Sequence, residues 1–201
     1  MREAIRADFL SNIARVRHLV QLYDASGGGR RTVQASDALR AAVVFLHAAF
    51  EEVFRRIFVW KVPFASEAVL NEIPLVGAEE TRASKFSLGA LAEYRAIDVQ
   101  ELIRRSVHAY AGYLTISTAA DIANRLRQFD LRANDFQEHT NAVVPMIQRR
   151  HNIVHQGDNN PQRGARGQQR VQTIGGPLVQ DWMGATERFV EKLLREIGDP
   201  T

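Results

Sequence analysis

Apolar residues recur at intervals of three and four along most of the chain, and no segment shows the convincing alternation of a half-buried strand. From Met1 to about Asp24 the stripe is Ile5, Phe9, Ile13, Val16, Val20 and Tyr23, which predicts an amphipathic helix ended by Gly27, Gly28 and Gly29. From about Ser36 to Trp60, the positions Leu39, Val43, Leu46, Phe50, Val53, Ile57 and Trp60 alternate spacings of four and three. This segment is the predicted central core helix. Pro63 and Pro74 mark a looser region, followed by a short predicted helix near Leu88 to Tyr94. Another is expected from about Val99 to Tyr113, capped by Asp98. Thr118 with Asp121 three residues on predicts a capping-box start for a helix reaching about Phe129.

Asp135 to His155 is helical in pattern but contains Pro145, which lacks an N–H and clashes with the preceding turn inside a helix. A short helix is therefore expected, then a second beginning near Val144 with proline in its first turn and Gly157 as its stop. Residues 158 to 173 are polar, contain glycine and lack any period, and are expected to form an exposed or disordered loop. Pro177 opens a last amphipathic helix whose Leu178, Trp182, Phe189, Leu193 and Ile197 are expected to face the core. The pattern predicts an all-α protein, an irregular bundle of about six or seven helices without a sheet, in one domain spanning 1–201.

Composition agrees with a globular domain: 45% of residues are hydrophobic and 24% charged. With no cysteine, disulfides, thiolate metal sites and cysteine nucleophiles are excluded, and a reducing compartment fits. No apolar run approaches the roughly 18 residues of a membrane span, and the chain does not open on an export signal, so a cytoplasmic location is expected. The net charge is a modest +3, yet lysine occurs only at 61, 85 and 192, and the remaining basic residues are arginine. A GC-rich genome accounts for such a bias as readily as phosphate recognition does. Its clustering is more informative: from Arg149 to Arg170 there are five arginines against one acid, Asp158.

Within that stretch, Arg150 is followed after four residues by His155. Arg/His pairs with four to six residues between them occur about twice by chance in a chain of this composition. Four are present: Arg40 with His47, Arg132 with His139, Arg149 with His155, and Arg150 with His155. Spacing alone decides nothing. The whole string RRHNIVHQGD at 149–158, however, ends a penultimate helix ahead of a polar loop and resembles the signature of HEPN domains. The similarity is nearest to the RiboL-PSP-HEPN branch, where an RRHxIVH-like stretch is followed by an acidic residue, matched here by Asp158. SDALRAAVVFLHAAFEEVFRRIF at 36–58 resembles the long second helix of that branch, and Leu102 to Leu131 is similar in layout to its middle region. The long Gly/Arg/Gln loop after Asp158 departs from the pattern.

The resemblance implies a metal-independent endoribonuclease, a toxin or antiviral effector needing no cofactor, that leaves a 2′,3′-cyclic phosphate. Its catalytic residues would be Arg150 and His155, with His151 as the polar residue after the arginine. Arg149, Asn152, Arg163, Arg166 and Arg170 would contact RNA. The chemistry needs an imidazole to move a proton and a cation to hold the negative charge at phosphorus. Five positions leave the Arg150 and His155 side chains about 140° apart on a regular helix. A helix end that turns His155, or a homodimer pairing two such helices, resolves the spacing, and the resemblance implies the homodimer.

Each residue also has a simpler role. Cations favour helix C-termini, and Arg149 reads as a solvated charge. Asn152 reads equally as a helix cap. His151 and His155, four apart, offer two imidazoles to a metal, but no third ligand is anchored nearby, so none is expected. Arg40, His47 and Glu51 share one helical face and compete with the 150–155 motif, although His47 beside Leu46 and Phe50 reads as a half-buried, hydrogen-bonded core residue. Glu51 and Glu52 beside Arg55 and Arg56 read as an ion-pair face. Two other functions remain open: a catalytically silent HEPN module that dimerises or docks an antitoxin or NTPase, and a basic helical nucleic-acid-binding protein without chemistry.

Overall fold

A computed structural model describes residues 1–25, 33–75, 89, 92, 94–159 and 171–200. Among the described residues it is 79% helical, with seven α-helices and no sheet, as the periodicity predicts. Helix α1 (Arg2–Ala25) buries all six residues of its predicted stripe. Helix α2 (Val33–Lys61) begins three residues earlier than expected and buries twelve residues, from Ala35 to Phe58. The two pack as an antiparallel hairpin: Arg56 of α2 pairs with Asp8 of α1, and Arg15 of α1 lies over the Phe45 ring at 5.2 Å.

Pro63 ends α2 in a 3-10 turn, Val62–Phe64, and a four-residue helix α3 (Glu67–Leu70), not expected from the sequence, follows. The helix predicted over Leu88 to Tyr94 falls mostly outside the described residues. Helix α4 (Val99–Ala111) is capped by Asp98, whose carboxylate accepts from Glu101 N–H at 2.7 Å. Helix α5 (Ala119–Gln128) starts in the predicted Thr118/Asp121 capping box. A 3-10 turn, Ala133–Phe136, leads into helix α6 (Gln137–Gln156), and helix α7 (Gly176–Glu196) closes the bundle.

Three expectations are corrected. Pro145 does not break the penultimate helix: α6 runs unbroken through it. The intrahelical bond it forfeits is the one to the Asn141 carbonyl, and both residues are exposed, so that carbonyl stays open to solvent and the loss is tolerated. In α7, Leu178 is 41% exposed, and Val179 is buried in its place. The stripe Val179, Trp182, Thr186, Phe189, Leu193 and Ile197 keeps three- and four-residue steps, and Leu178 stands one position, about 100°, off it. Trp60 is only partly buried, packed against the core.

The centre of the bundle is aromatic. Phe189 of α7 meets Phe50 at 5.1 Å edge-on, Phe54 at 5.9 Å and Phe136 at 5.6 Å, so one ring joins α2, α7 and the entry to α6. Phe189→Ala should therefore lower the free energy of unfolding by about 3 to 5 kcal/mol, measured by urea denaturation. A loss below about 1 kcal/mol would contradict this packing.

Candidate active site at the end of helix α6

The two adjacent arginines of α6 meet opposite fates. Arg149 has an 11% exposed side chain, and its guanidinium pairs with the Asp158 carboxylate through contacts of 2.9 Å. It also donates to the Gln172 side-chain oxygen at 2.6 Å, the Gln172 carbonyl at 3.0 Å and the Thr173 carbonyl at 3.1 Å. From α2, Arg40 Nε donates to the same Asp158 carboxylate at 2.8 Å, and its Nη2 donates to the Gln172 carbonyl at 3.0 Å. Asp158, 1% exposed, is thus shared by two helices.

This arrangement corrects two readings. Arg149 is not a solvated charge, since its guanidinium is taken up by Asp158, Gln172 and Thr173. Nor are residues 158 to 173 polar and exposed throughout: Gln172 N–H donates to the Asp158 carbonyl at 2.8 Å, and Asn159 bridges Val171. A basic side chain on each of two helices supplies the counter-charge that lets the carboxylate leave water. Arg163, Arg166 and Arg170, expected to contact RNA, lie outside the described residues.

Helix α6 ends where predicted. Gly157 takes a left-handed conformation at φ 60°, and Asp158 follows at φ 57°. The N–H groups of both donate to the Asn152 carbonyl. Asn152 therefore serves the helix end through its backbone, which leaves its half-buried side chain outside the capping interaction.

Arg150 differs from Arg149 in having no acidic partner among the described residues; the buried Nε of each arginine makes no hydrogen bond. Arg150 lies near enough to His47 for its charge to oppose protonation of that imidazole. His151 and His155 stand exposed one turn apart, with ring centres 4.8 Å from each other. Because α6 stays regular through Gln156, His155 keeps its helical direction, and no hydrogen bond joins it to Arg150 within the chain.

The competing trio on α2 is dispersed. Arg40 is taken up by Asp158, whereas His47 is 1% exposed and its Nε2 donates to the Ile116 carbonyl at 2.7 Å. Glu51 accepts from Ile116 N–H at 2.8 Å, with its other oxygen 3.5 Å from His47 Nδ1. Both backbone groups of a buried, non-helical residue are satisfied by one turn of α2. His47 is therefore a core histidine, more completely buried than expected, and Glu51 does not join the ion-pair face. Glu52 pairs with Arg55 at 2.6 Å, and Arg56 turns to Asp8. Only the tertiary position of Ile116 reveals this role.

Burial pushes the His47 imidazole below its usual value, and the Arg150 cation adds to that; the Glu51 carboxylate and the Ile116 hydrogen bond oppose it less strongly. No helix among the described residues is long and apolar enough to cross a membrane. Compared with protein-family models, curated proteins and solved structures, the chain gives no match.

Asp158→Ala leaves two half-buried guanidiniums facing one another and should cost about 3 to 5 kcal/mol of unfolding free energy, with faster proteolysis between 158 and 172. A loss below about 1 kcal/mol would show that the carboxylate does not bind the two helices together. Separately, the His47 site makes the fold sensitive to acid. Below pH 6.5 the unfolded chain takes up a proton that the buried imidazole resists, so stability is full above that value and declines as pH falls through it. His47→Gln, which retains a side-chain N–H for Ile116, should flatten that part of the urea-midpoint profile. An unchanged slope would place the acid sensitivity elsewhere.

Proposed function

We propose that this protein is a metal-independent endoribonuclease of the HEPN type, acting as a homodimer in which two copies of α6 line one cleft. The reading rests on the RRHNIVHQGD string and, above all, on the division of labour between its arginines. Arg149 is committed to Asp158, whereas Arg150 is a half-buried cation with no acidic partner among the described residues, next to an exposed imidazole pair. A guanidinium left without a carboxylate in a partly desolvated place is suited to a phosphate.

In the proposed reaction a His155 imidazole takes the proton of a ribose 2′-hydroxyl. The 2′-oxygen forms a bond to phosphorus as the bond to the 5′-oxygen breaks, and the departing oxygen takes a proton from a protonated imidazole. The products are a 2′,3′-cyclic phosphate and a 5′-hydroxyl, with no net proton change. Arg150 binds the non-bridging oxygens, where charge accumulates in the transition state. His151 supplies the second imidazole at the same helix face. Since five positions separate Arg150 from His155 by about 140° on one helix, the dimer brings the arginine of one protomer toward the histidine of its partner.

Purified protein incubated with mixed RNA in excess EDTA should yield fragments with those end groups. Arg150→Ala and His155→Ala should each lower cleavage by about a hundredfold or more. Their unfolding free energies should shift by at most about 1 kcal/mol. Sedimentation should give a dimer at micromolar concentration. Activity that vanishes in EDTA and returns with a divalent cation would overturn the mechanism, and a monomer would overturn the composite site. Intact RNA throughout would leave a partner-docking module instead.

A further inference from the structure

His151 and His155 are exposed on the same face of a regular helix, four positions apart, and their only ring contact among the described residues is with each other. Two imidazoles one turn apart form a chelating pair on a frame that is already rigid. A late first-row metal ion bound at about 2.0 to 2.1 Å to one nitrogen of each ring sets the ring centres roughly 4.5 to 5.2 Å apart, for coordination angles from square-planar to tetrahedral. The observed separation, 4.8 Å, lies within that interval. No group of three or more His, Asp or Glu side chains converges among the described residues, so those residues offer two nitrogens, with water to complete the coordination. Such a nitrogen and oxygen set favours Cu(II) over Ni(II), and both over cations that prefer oxygen.

From this geometry we infer that His151 and His155 form a two-imidazole site for a divalent late transition-metal ion. The ion occupies the lone pair that His155 needs as a proton acceptor. On the ribonuclease reading above, on which this consequence alone rests, the ion is an inhibitor, and a chelator raises activity.

The test titrates the full chain with Cu(II) and with Ni(II) chloride in a non-coordinating buffer, followed by calorimetry and thermal unfolding. One ion per chain should bind, and the melting temperature should rise because the ion clips two helical turns together. His151→Gln and His155→Gln, each folded as shown by an unchanged melting temperature without metal, should weaken binding about a hundredfold, since either change reduces a chelate to one contact. His18→Gln and His108→Gln, which remove other exposed histidines, should bind as the natural chain does. Undiminished binding in either α6 variant would overturn the site, as would loss of binding in the His18 or His108 variant. Where RNA cleavage is present, saturating Cu(II) should suppress it and EDTA should restore it. Tight binding without suppression would leave the metal site standing and overturn the role of His155 as proton acceptor.

Discussion

The Asp158 carboxylate, buried between Arg40 and Arg149, is the constraint on which the arrangement of α6 depends. Removing a carboxylate from water costs several kcal/mol, and it is tolerated here only because guanidiniums from two helices and the Gln172 backbone close around the same place. The consequences spread from that point. The start of α2 is held against the end of α6, the chain must turn through two left-handed residues at Gly157 and Asp158, and the strands of chain at 159 and 171 are drawn together. One of two neighbouring arginines is consumed by the fold, and the other is left without an acidic partner among the described residues.

A second buried polar group works by the same logic two turns further along the same face of α2. The segment after α4 passes the core helix without forming regular structure, which would strand the peptide groups of Ile116 away from water. His47 and Glu51, one turn apart, take up both. Polar side chains on an otherwise apolar helix therefore mark where irregular backbone is buried. Arg150 reaches this same neighbourhood, so its cation adds to the burial that keeps His47 neutral.

Helix α6 thus carries three separate tasks on three sectors. Val143, Met146 and Ile147 are buried in the core with Arg150 extending their face at half-burial toward α2, Arg149 turns to Asp158, and His151 and His155 face outward. At about 100° per residue, a string that reads as one motif is distributed around the helix. Any chemistry that joins Arg150 to His155 must bring a second surface to the first, which is why the ribonuclease reading carries a dimer with it.

Local physics made much of the fold legible in the sequence. Three- and four-residue spacing marks α1, α2 and α7; Asp98 and the Thr118/Asp121 pair mark the starts of α4 and α5; Gly157 marks the end of α6. These signals survive because each depends on residues within a turn or two of one another. Pro145 misleads because its cost is set by whether water reaches the Asn141 carbonyl, which depends on the helix face the bundle leaves exposed. Arg149 and Arg150 are indistinguishable as neighbours in a string, and only the placement of Asp158 separates them. The sequence by itself determined most of the helices and singled out Arg150, His151 and His155 as candidates. The tertiary structure alone decided which charges are spent on burial and which remain free, because counter-charge and desolvation depend on partners over a hundred residues apart, as in Arg40 and Asp158.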